Sequence, residues 1–388
     1  MDDRAEPATR AAARPQPDDD PRRGVLIGRP FGVPVYVTPT WFLVAGLITW
    51  IFAPTVEETV PGIGPWKYVV SLGFALLLYG SVLIHELAHT VVALRSGLPV
   101  RRISLYLLGG VSEIEKPSTS PRQEAWIAGA GPLISVVLGI LAYGVARTLE
   151  PDTVGRLLAE ALMVSNILVG VFNMLPGLPL DGGRVLSAAV WKVTGRRQTG
   201  AIAAAWVGRG VAVVVLFLPA TVGLARGREP DLIDLIWGGL LASFIWVGAT
   251  QALQAAQLQQ RIPGLSARAL TRRAIPVPAD MPLAEAMRRA AETGARNVVV
   301  IGGDGTPMAI VNEAAAEAIP VGRRPWVPVS DVARRIHPET IVAADLAGHD
   351  LVTAIARRPA SEYLVVEASG DVFGVLATVD VERAVATA

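Results

Sequence analysis

Long apolar stretches alternate with short polar segments over the first two thirds of the chain. Several approach the roughly 20 residues that an α-helix needs to cross a bilayer, so the pattern predicts six membrane spans. The fifth stretch carries Arg209, so we expect the first third of this stretch to lie outside the hydrocarbon. The stretches lie at roughly 38–54, 67–92, 124–147, 156–175, 200–225 and 232–256.

Two segments outside these stretches alternate apolar and polar residues as strands do. Residues 24–37 predict a short β-hairpin before the first span. Residues 100–116 predict a second hairpin, which turns at Gly109-Gly110 and dips into the membrane; a plain cytoplasmic loop is the alternative. If the second hairpin presents a sheet edge, an extended peptide strand can pair with it.

Basic residues cluster on one side of the predicted spans. They precede the first and fifth spans, separate the second from the third, and follow the sixth, whereas acidic residues dominate the other connections. We expect a multi-pass protein of the plasma membrane, and the positive-inside rule predicts that both of its termini lie in the cytoplasm. On this topology the second and fourth spans run in the same direction, from outside to inside.

The composition agrees with a membrane protein. Of 388 residues, 52% are hydrophobic and 18% are charged, which is more apolar and less charged than a typical soluble chain. The net charge of +1 gives no reason to expect a nucleic acid partner. Because the chain has no Cys, any metal site must use nitrogen and oxygen ligands.

The second apolar stretch contains an H-E-x-x-H motif, which begins at His85 and ends at His89. Two histidines at this spacing lie on one face of a helix, one turn apart, so both imidazoles can bind a single zinc ion. Glu86 beside them is suited to take a proton from water at the metal. The run 69–84 holds no charged residue, so ionisable groups at its end indicate a functional site rather than an incidental polar cluster.

A zinc hydrolase needs a third protein ligand and leaves the fourth position to water. The candidate is Asp181, which follows the fourth span in the segment NMLPGLPLDGG. Because the fourth span runs in the same direction as the second, we expect Asp181 at about the depth of His85. The prolines of the segment break the helix and free backbone groups around the site. Taken alone, Asp-Gly-Gly suits a turn before a helix equally well.

Together these motifs resemble those of the site-2 proteases, a family of intramembrane zinc metalloproteases. The sequence HELAH at 85–89 resembles the family's zinc-binding motif, and Asn173 through Gly182 resembles its second motif, N-x-x-P-x-x-P-L-D-G, at every fixed position. Gly109-Gly110 and the segment GAGP at 129–132 resemble its hairpin and third-span signatures, although close helix packing alone also accounts for these glycines. The resemblance covers roughly residues 24–260.

This resemblance implies one zinc ion per chain, held by His85, His89 and Asp181, with Glu86 as the catalytic base. It also implies that Asn173 binds the substrate backbone near the scissile bond. The family's usual substrates are single-span membrane proteins, often anti-sigma factors or membrane-tethered transcription regulators. The implied activity is hydrolysis of peptide bonds within or near their transmembrane segments, as part of regulated intramembrane proteolysis.

From about residue 265 the composition becomes that of a soluble domain. Two units there share the order β-α-β-β-α, one over residues 274–318 and the other over 340–386. The first unit is predicted to include a strand at 297–301 and a helix at 313–318. This repeat resembles a pair of CBS domains, a regulatory module that often binds adenine nucleotides. The resemblance implies a regulator of the membrane-embedded part, through nucleotide binding or through formation of a homodimer.

The nucleotide signature of that module is incomplete here. In the CBS family a strand ends in G-h-h-T/S-x-x-D, whose Asp holds the ribose hydroxyls. The second unit keeps Gly374 and Asp380 but has Ala377 at the hydroxyl position, and the first unit lacks both Gly and Asp. Thr378 and Asp380 are therefore the candidate ATP or AMP ligands, and a module that dimerises or gates without a ligand is the alternative.

The predicted fold class is a polytopic α-helical membrane protein of about six spans with a short membrane-associated β-hairpin and a cytoplasmic α/β CBS pair. Its predicted parts are a disordered cytoplasmic tail over residues 1–23, a transmembrane zinc metalloprotease domain over 24–260 and a tandem CBS domain over 265–388. The alternative functions are a CBS-regulated transporter or channel and an inactive protease relative that binds membrane proteins. Zinc spacing with a carboxylate partner argues against the first, and the complete ligand and base set argues against the second.

Overall fold

The computed structural model describes residues 24–106, 109–227 and 231–387. The predicted tail over residues 1–23 lies outside this range. The chain divides into two compact units, and the division falls between Thr250 and Gln251.

The first unit is helical, and six of its described helices are long and apolar enough to cross a membrane, which confirms the predicted number of spans. A seventh and shorter helix, α5, precedes the fifth of these spans. The Ser120 hydroxyl caps the start of α3, and Gly195 ends α5 in the left-handed conformation that favours glycine. The helices are α1 (Pro39–Thr59), α2 (Trp66–Arg95), α3 (Pro121–Thr148), α4 (Val154–Asn173), α5 (Asp181–Thr194), α6 (Arg197–Ala225) and α7 (Leu232–Arg261).

Both predicted hairpins form, and they join in a single four-stranded sheet in the order β1-β2-β3-β4. Strand β2 pairs with β3 in parallel, and the other neighbours are antiparallel. This order leaves β4 at an edge of the sheet. The prediction that Gly109-Gly110 forms the turn is wrong, because both glycines belong to β4 and pair with β3, Gly109 with Tyr106 and Gly110 with Leu105. The strands are β1 (Val25–Gly28), β2 (Val35–Val37), β3 (Val100–Tyr106) and β4 (Gly109–Ile114).

Helix α3 is central to the packing of the first unit, since it contacts α2, α4 and α5. Small residues permit its close approach to α4. A side chain at Gly139 would collide with Ile167, and a side chain at Gly170 would collide with Val136 and with the carbonyl oxygen of Pro132. Helices α2 and α5 thereby meet beside α3, and strand β4 packs against α2.

The second unit contains a seven-stranded sheet in the order β8-β7-β6-β5-β11-β10-β9. Its halves repeat the order β5-α9-β6-β7-α10 and β9-α11-β10-β11-α12, which is the predicted order for a CBS pair, and the fold class is confirmed. The elements are α8 (Ala267–Leu270), β5 (Arg272–Pro278), α9 (Leu283–Thr293), β6 (Asn297–Ile301), β7 (Pro307–Val311), α10 (Glu313–Ala318), β8 (Ala333–Arg335), β9 (Ile341–Ala343), α11 (Gly348–Arg357), β10 (Glu362–Val366), β11 (Val372–Ala377) and α12 (Thr378–Thr387).

Candidate metal centre

Two histidines on α2 converge inside the first unit. His85 and His89 are both buried, and their Nε2 atoms lie 3.1 Å apart. At about 1.5 Å per residue, His85 lies about 15 Å from the end of α2 at Arg95. The pair is therefore well inside a helix long enough to span a membrane.

Asp181 completes a cluster of three. It is the first residue of α5, and its Oδ2 atom lies 3.2 Å from His85 Nε2 and 3.3 Å from His89 Nε2. In the described residues these three side chains form a group whose ligand atoms all lie within 4.8 Å of one another. The structure thus brings Asp181 to the histidine pair, although it lies 96 positions after His85 in the sequence.

The remaining nitrogen of each imidazole is held from α3. His89 Nδ1 donates to the backbone oxygen of Ile127 at 2.6 Å, and with its proton on Nδ1 His85 donates to Ser135 Oγ at 2.9 Å. Such outer hydrogen bonds set the tautomer and the ring orientation of metal-binding histidines. Both Nε2 lone pairs consequently point at the Asp181 carboxylate.

Three lone-pair-bearing atoms so close together repel one another unless a cation or a proton lies between them. In tetrahedral zinc sites, bonds of about 2.0–2.1 Å place neighbouring ligand atoms about 3.3 Å apart. The observed separations of 3.1, 3.2 and 3.3 Å match this value. Two imidazoles and a carboxylate are also the donor types that zinc accepts, so the residues fit this metal.

Glu86 is buried next to the histidines and is held by the edge strand β4. Its Oε2 accepts a hydrogen bond from Ser112 Oγ at 2.8 Å, and Ser112 Oγ also lies 3.2 Å from Thr90 Oγ1. A side chain at Gly110 would collide with the Glu86 side chain. No signal in the sequence pointed to Ser112 beyond the prediction of a hairpin that dips into the membrane.

Gly131 of α3 faces the histidine pair. A Cβ atom built on it would lie 2.5 Å from His85 Nε2 and closer still to His89 Nε2, whereas a Cβ on Gly129 would meet nothing within 4 Å. The sequence left close helix packing as a sufficient explanation for both glycines. The structure instead places Gly131 against the Nε2 atoms of His85 and His89.

The loop that carries Asp181 is packed tightly against its neighbours. Leu178 N donates to Ala204 O of α6 at 3.1 Å, and the backbone oxygen of Leu178 occupies the space that a side chain at Gly208 would need. One turn into α5, Arg184 Nε donates to Glu124 Oε1 of α3 at 2.9 Å. These contacts fix the first turn of α5 and with it the position of the Asp181 carboxylate.

Asn173 stands at the other end of this loop. It is the last residue of α4 and is half-buried, so Asn173 and Asp181 bracket the segment between α4 and α5. The structure places Asn173 at the start of the tightly packed loop, and its role in substrate binding stays a prediction.

The two candidate nucleotide ligands lie at the start of α12 in the second unit. Thr378 Oγ1 donates to Ala360 O at 2.5 Å. Asp380 accepts from Arg272 Nε at 2.7 Å and from Arg272 Nη2 at 3.0 Å. The Arg272 guanidinium lowers the pKa of the Asp380 carboxyl, so this residue is ionised and already paired at neutral pH.

Comparisons with known proteins agree with this geometry. The family model described as "Peptidase family M50" matches residues 73–162 and 151–217. A provisionally named zinc metalloprotease, sll0528 of Synechocystis sp., is 30% identical over 355 residues, which cover 91% of this chain and 93% of that protein.

Two solved structures are similar to separate parts of the chain. The site-2 protease from Methanocaldococcus jannaschii is 27% identical, covers 59% of this chain and 94% of its own, and has a TM-score of 0.39. The structure of CBSX2 in complex with AMP is 17% identical, covers 31% of this chain and 96% of its own, and has a TM-score of 0.24. On the family model and the near full-length relative, the chain belongs to peptidase family M50 and is a zinc metalloprotease of the site-2 type.

Proposed function

We propose that this protease hydrolyses peptide bonds within or near the transmembrane segments of single-span membrane proteins, of which anti-sigma factors and membrane-tethered transcription regulators are examples. One observation carries the proposal: His85, His89 and Asp181 converge on one point, with Glu86 beside them, inside a bundle of helices long enough to span a bilayer. A catalytic centre at that depth is more accessible to the peptide bonds of a membrane segment than to those of a soluble protein.

In this proposal His85, His89 and Asp181 hold one zinc ion per chain. Zinc bound there supplies a Lewis acid that polarises the scissile carbonyl and makes water a better nucleophile at neutral pH. Glu86 takes a proton from the attacking water and delivers it to the leaving amine. Ser112 keeps one oxygen of the Glu86 carboxylate engaged and thereby orients the other.

A substrate strand binds at the free edge of β4. A helical substrate shields its peptide carbonyls in its own hydrogen bonds, so it must unwind locally before it is cut. The unwound backbone can then pair with β4, which lies at the edge of the described sheet and contacts Glu86 through Ser112. Asn173, at the end of α4, is proposed to hold the backbone of the substrate strand on the side that does not pair with β4.

The second unit is proposed to regulate proteolysis as a cytoplasmic CBS pair, with both chain termini in the cytoplasm of a plasma-membrane protein and with boundaries at 24–260 and 265–388. An adenine nucleotide would bind at Thr378 and Asp380. Because Asp380 is paired with Arg272, the ribose hydroxyls would share the carboxylate with that guanidinium or displace it. A homodimer formed through this unit is the alternative means of regulation.

The proposal is tested by reconstituting the full chain in vesicles with a single-span substrate and measuring cleavage and zinc content together. We expect about one zinc per chain and cleavage in the wild type, no zinc and no cleavage in His85→Ala, and zinc without cleavage in Glu86→Gln. Zinc without cleavage of any membrane substrate in the wild type would favour an inactive binding protein. Absence of zinc after metal is supplied would favour a transporter or channel.

A further inference from the structure

Helix α6 carries a charged side chain, Arg209, that the proteolytic chemistry does not use. Its guanidinium carbon lies 4.8 Å from the ring centroid of Trp206 on α6 and 5.2 Å from that of Trp246 on α7. Its Nη2 donates to Thr250 Oγ1 at 3.1 Å. Two indoles and a hydroxyl therefore hold this cation at the junction of α6 and α7.

The charge of Arg209 is not neutralised within the described part of the chain. Its recorded polar contact there is the neutral hydroxyl of Thr250, and its Nε is buried without an acceptor. Cation–π contacts orient a guanidinium, but they do not remove its charge or occupy its remaining N–H donors. Its guanidinium therefore keeps N–H donors that an external anion can use.

The lengths of the apolar segments place Arg209 at the depth of lipid headgroups. At about 1.5 Å per residue, α6 is apolar for about 24 Å from 210 to 225, and α7 is predominantly apolar for about 27 Å from 232 to 249. Both lengths are close to the roughly 30 Å hydrocarbon thickness of a bilayer. Because the two helices are consecutive spans in opposite directions, both apolar segments end at the level where Arg209 meets Thr250.

The exposure of the two flanking tryptophans agrees with a position at headgroup depth. Trp206 is 57% exposed and Trp246 is 45% exposed. Exposed tryptophans of membrane proteins concentrate at the membrane–water interface, where the ring faces hydrocarbon and the N–H faces the headgroups. The site therefore presents free guanidinium donors between two rings at an interface.

We propose that Arg209, Trp206 and Trp246 form a binding site for the phosphate of an anionic phospholipid, in the leaflet at which α6 begins. The free N–H groups of Arg209 donate to the phosphate oxygens, and the indoles contact the glycerol and the upper acyl chain. A net negative headgroup is favoured because the site supplies a cation without a counter-ion. A zwitterionic headgroup brings its own cation and gains less.

Bound lipid would also support the loop that carries Asp181. The residue before Arg209 is Gly208, which packs against the backbone of Leu178, and Gly248 on α7 packs against Pro179. A phosphate that holds α6 and α7 together at this level therefore stabilises the two surfaces between which the loop is packed.

The test is thermal unfolding of the delipidated full-length protein in a neutral detergent, with added phosphatidylglycerol, phosphatidylcholine of the same acyl chains, or inorganic phosphate. We expect phosphatidylglycerol to raise the wild-type Tm by about 4 °C or more, phosphatidylcholine to raise it by less than half as much, and inorganic phosphate to have no effect. Arg209→Gln should lose the phosphatidylglycerol effect. The control Arg122→Gln, at an exposed arginine at the start of α3, should retain it.

An equal response of Arg209→Gln and wild type to phosphatidylglycerol would overturn the proposal. A wild-type response to inorganic phosphate as large as that to the lipid would overturn it as well, since the site would then bind a free anion. If Arg209→Gln does not fold, wild-type protein can be photo-crosslinked with phosphatidylglycerol that carries a diazirine in its headgroup. Cross-links in the peptides containing Trp206 and Trp246 are expected, and cross-links only elsewhere would contradict the assignment.

Discussion

Replacing Gly131 with alanine should remove the metal while leaving the fold intact. The new Cβ would lie 2.5 Å from His85 Nε2, whereas ordinary contacts begin at 3.4 Å, so that imidazole must retreat by about 0.9 Å, and His89 by more. Zinc tolerates little error in ligand position, and weaker disturbances outside the ligand set cost 10–100-fold in affinity. We expect zinc affinity to fall by about 100-fold or more and cleavage to fall at least as far.

The matched control is Gly129→Ala, two residues earlier on the same helix, where the Cβ meets nothing within 4 Å. Both substitutions replace glycine with the better helix former, which favours the helix by up to about 1 kcal/mol, so helix propensity cannot separate them. The assays are zinc content by plasma mass spectrometry against a range of free zinc, cleavage of a reconstituted substrate, and Tm. Wild-type zinc affinity in Gly131→Ala would refute the proposal that the Nε2 atoms of His85 and His89 hold the zinc.

Four further predictions concern residues around the two candidate sites. Glu86→Gln should keep the zinc content and lose cleavage by about 10²–10⁴-fold, and full activity would exclude this residue as the base. Ser112→Ala should lower kcat about tenfold with little change in KM, and Ser112→Thr should restore it; an equal loss in both variants would indicate a distorted hairpin instead. Asp380→Ala should abolish any ATP or AMP binding measured by calorimetry, and unchanged affinity would remove that site. Arg272 lowers the pKa of the Asp380 carboxyl in the folded state. The pair therefore stabilises the second unit at pH values above the unfolded pKa of about 4, and this stabilisation is lost as the pH falls through the folded pKa. Asp380→Asn should flatten the dependence of Tm on acid pH.

The second unit shows how far local pattern predicts local structure. The predicted strand at 297–301 and the predicted helix at 313–318 have the bounds that the structure gives to β6 and α10. Both are bounded by unambiguous signals, a Gly-Gly-Asp-Gly turn after the strand and an Asn312 side chain that caps the helix. Where hydrophobic period and boundary residues agree, the chain encodes the element within a few positions.

The pairing of strands that are distant in the sequence was harder to predict. The sequence predicted two hairpins, but β2 pairs with β3 across the whole of α1 and α2. Strand pairing between distant segments depends on how the intervening helices pack, and no local pattern records it. The same limit concealed Ser112 and Gly131, whose importance follows only from their contacts with Glu86 and the two histidines.

By itself, the sequence determined the number of spans, the repeated α/β unit, the helical spacing of His85 and His89 and the choice of Asp181 as their partner. These features are periodic or lie in short motifs, and local geometry fixes what they can do. Tertiary structure alone decided which hydrogen bonds orient the imidazoles, which strand holds Glu86, and why a glycine must face the two histidines. Those properties arise from surfaces that meet only after the helices pack, because a distance between two side chains far apart in the chain is set by packing and not by spacing.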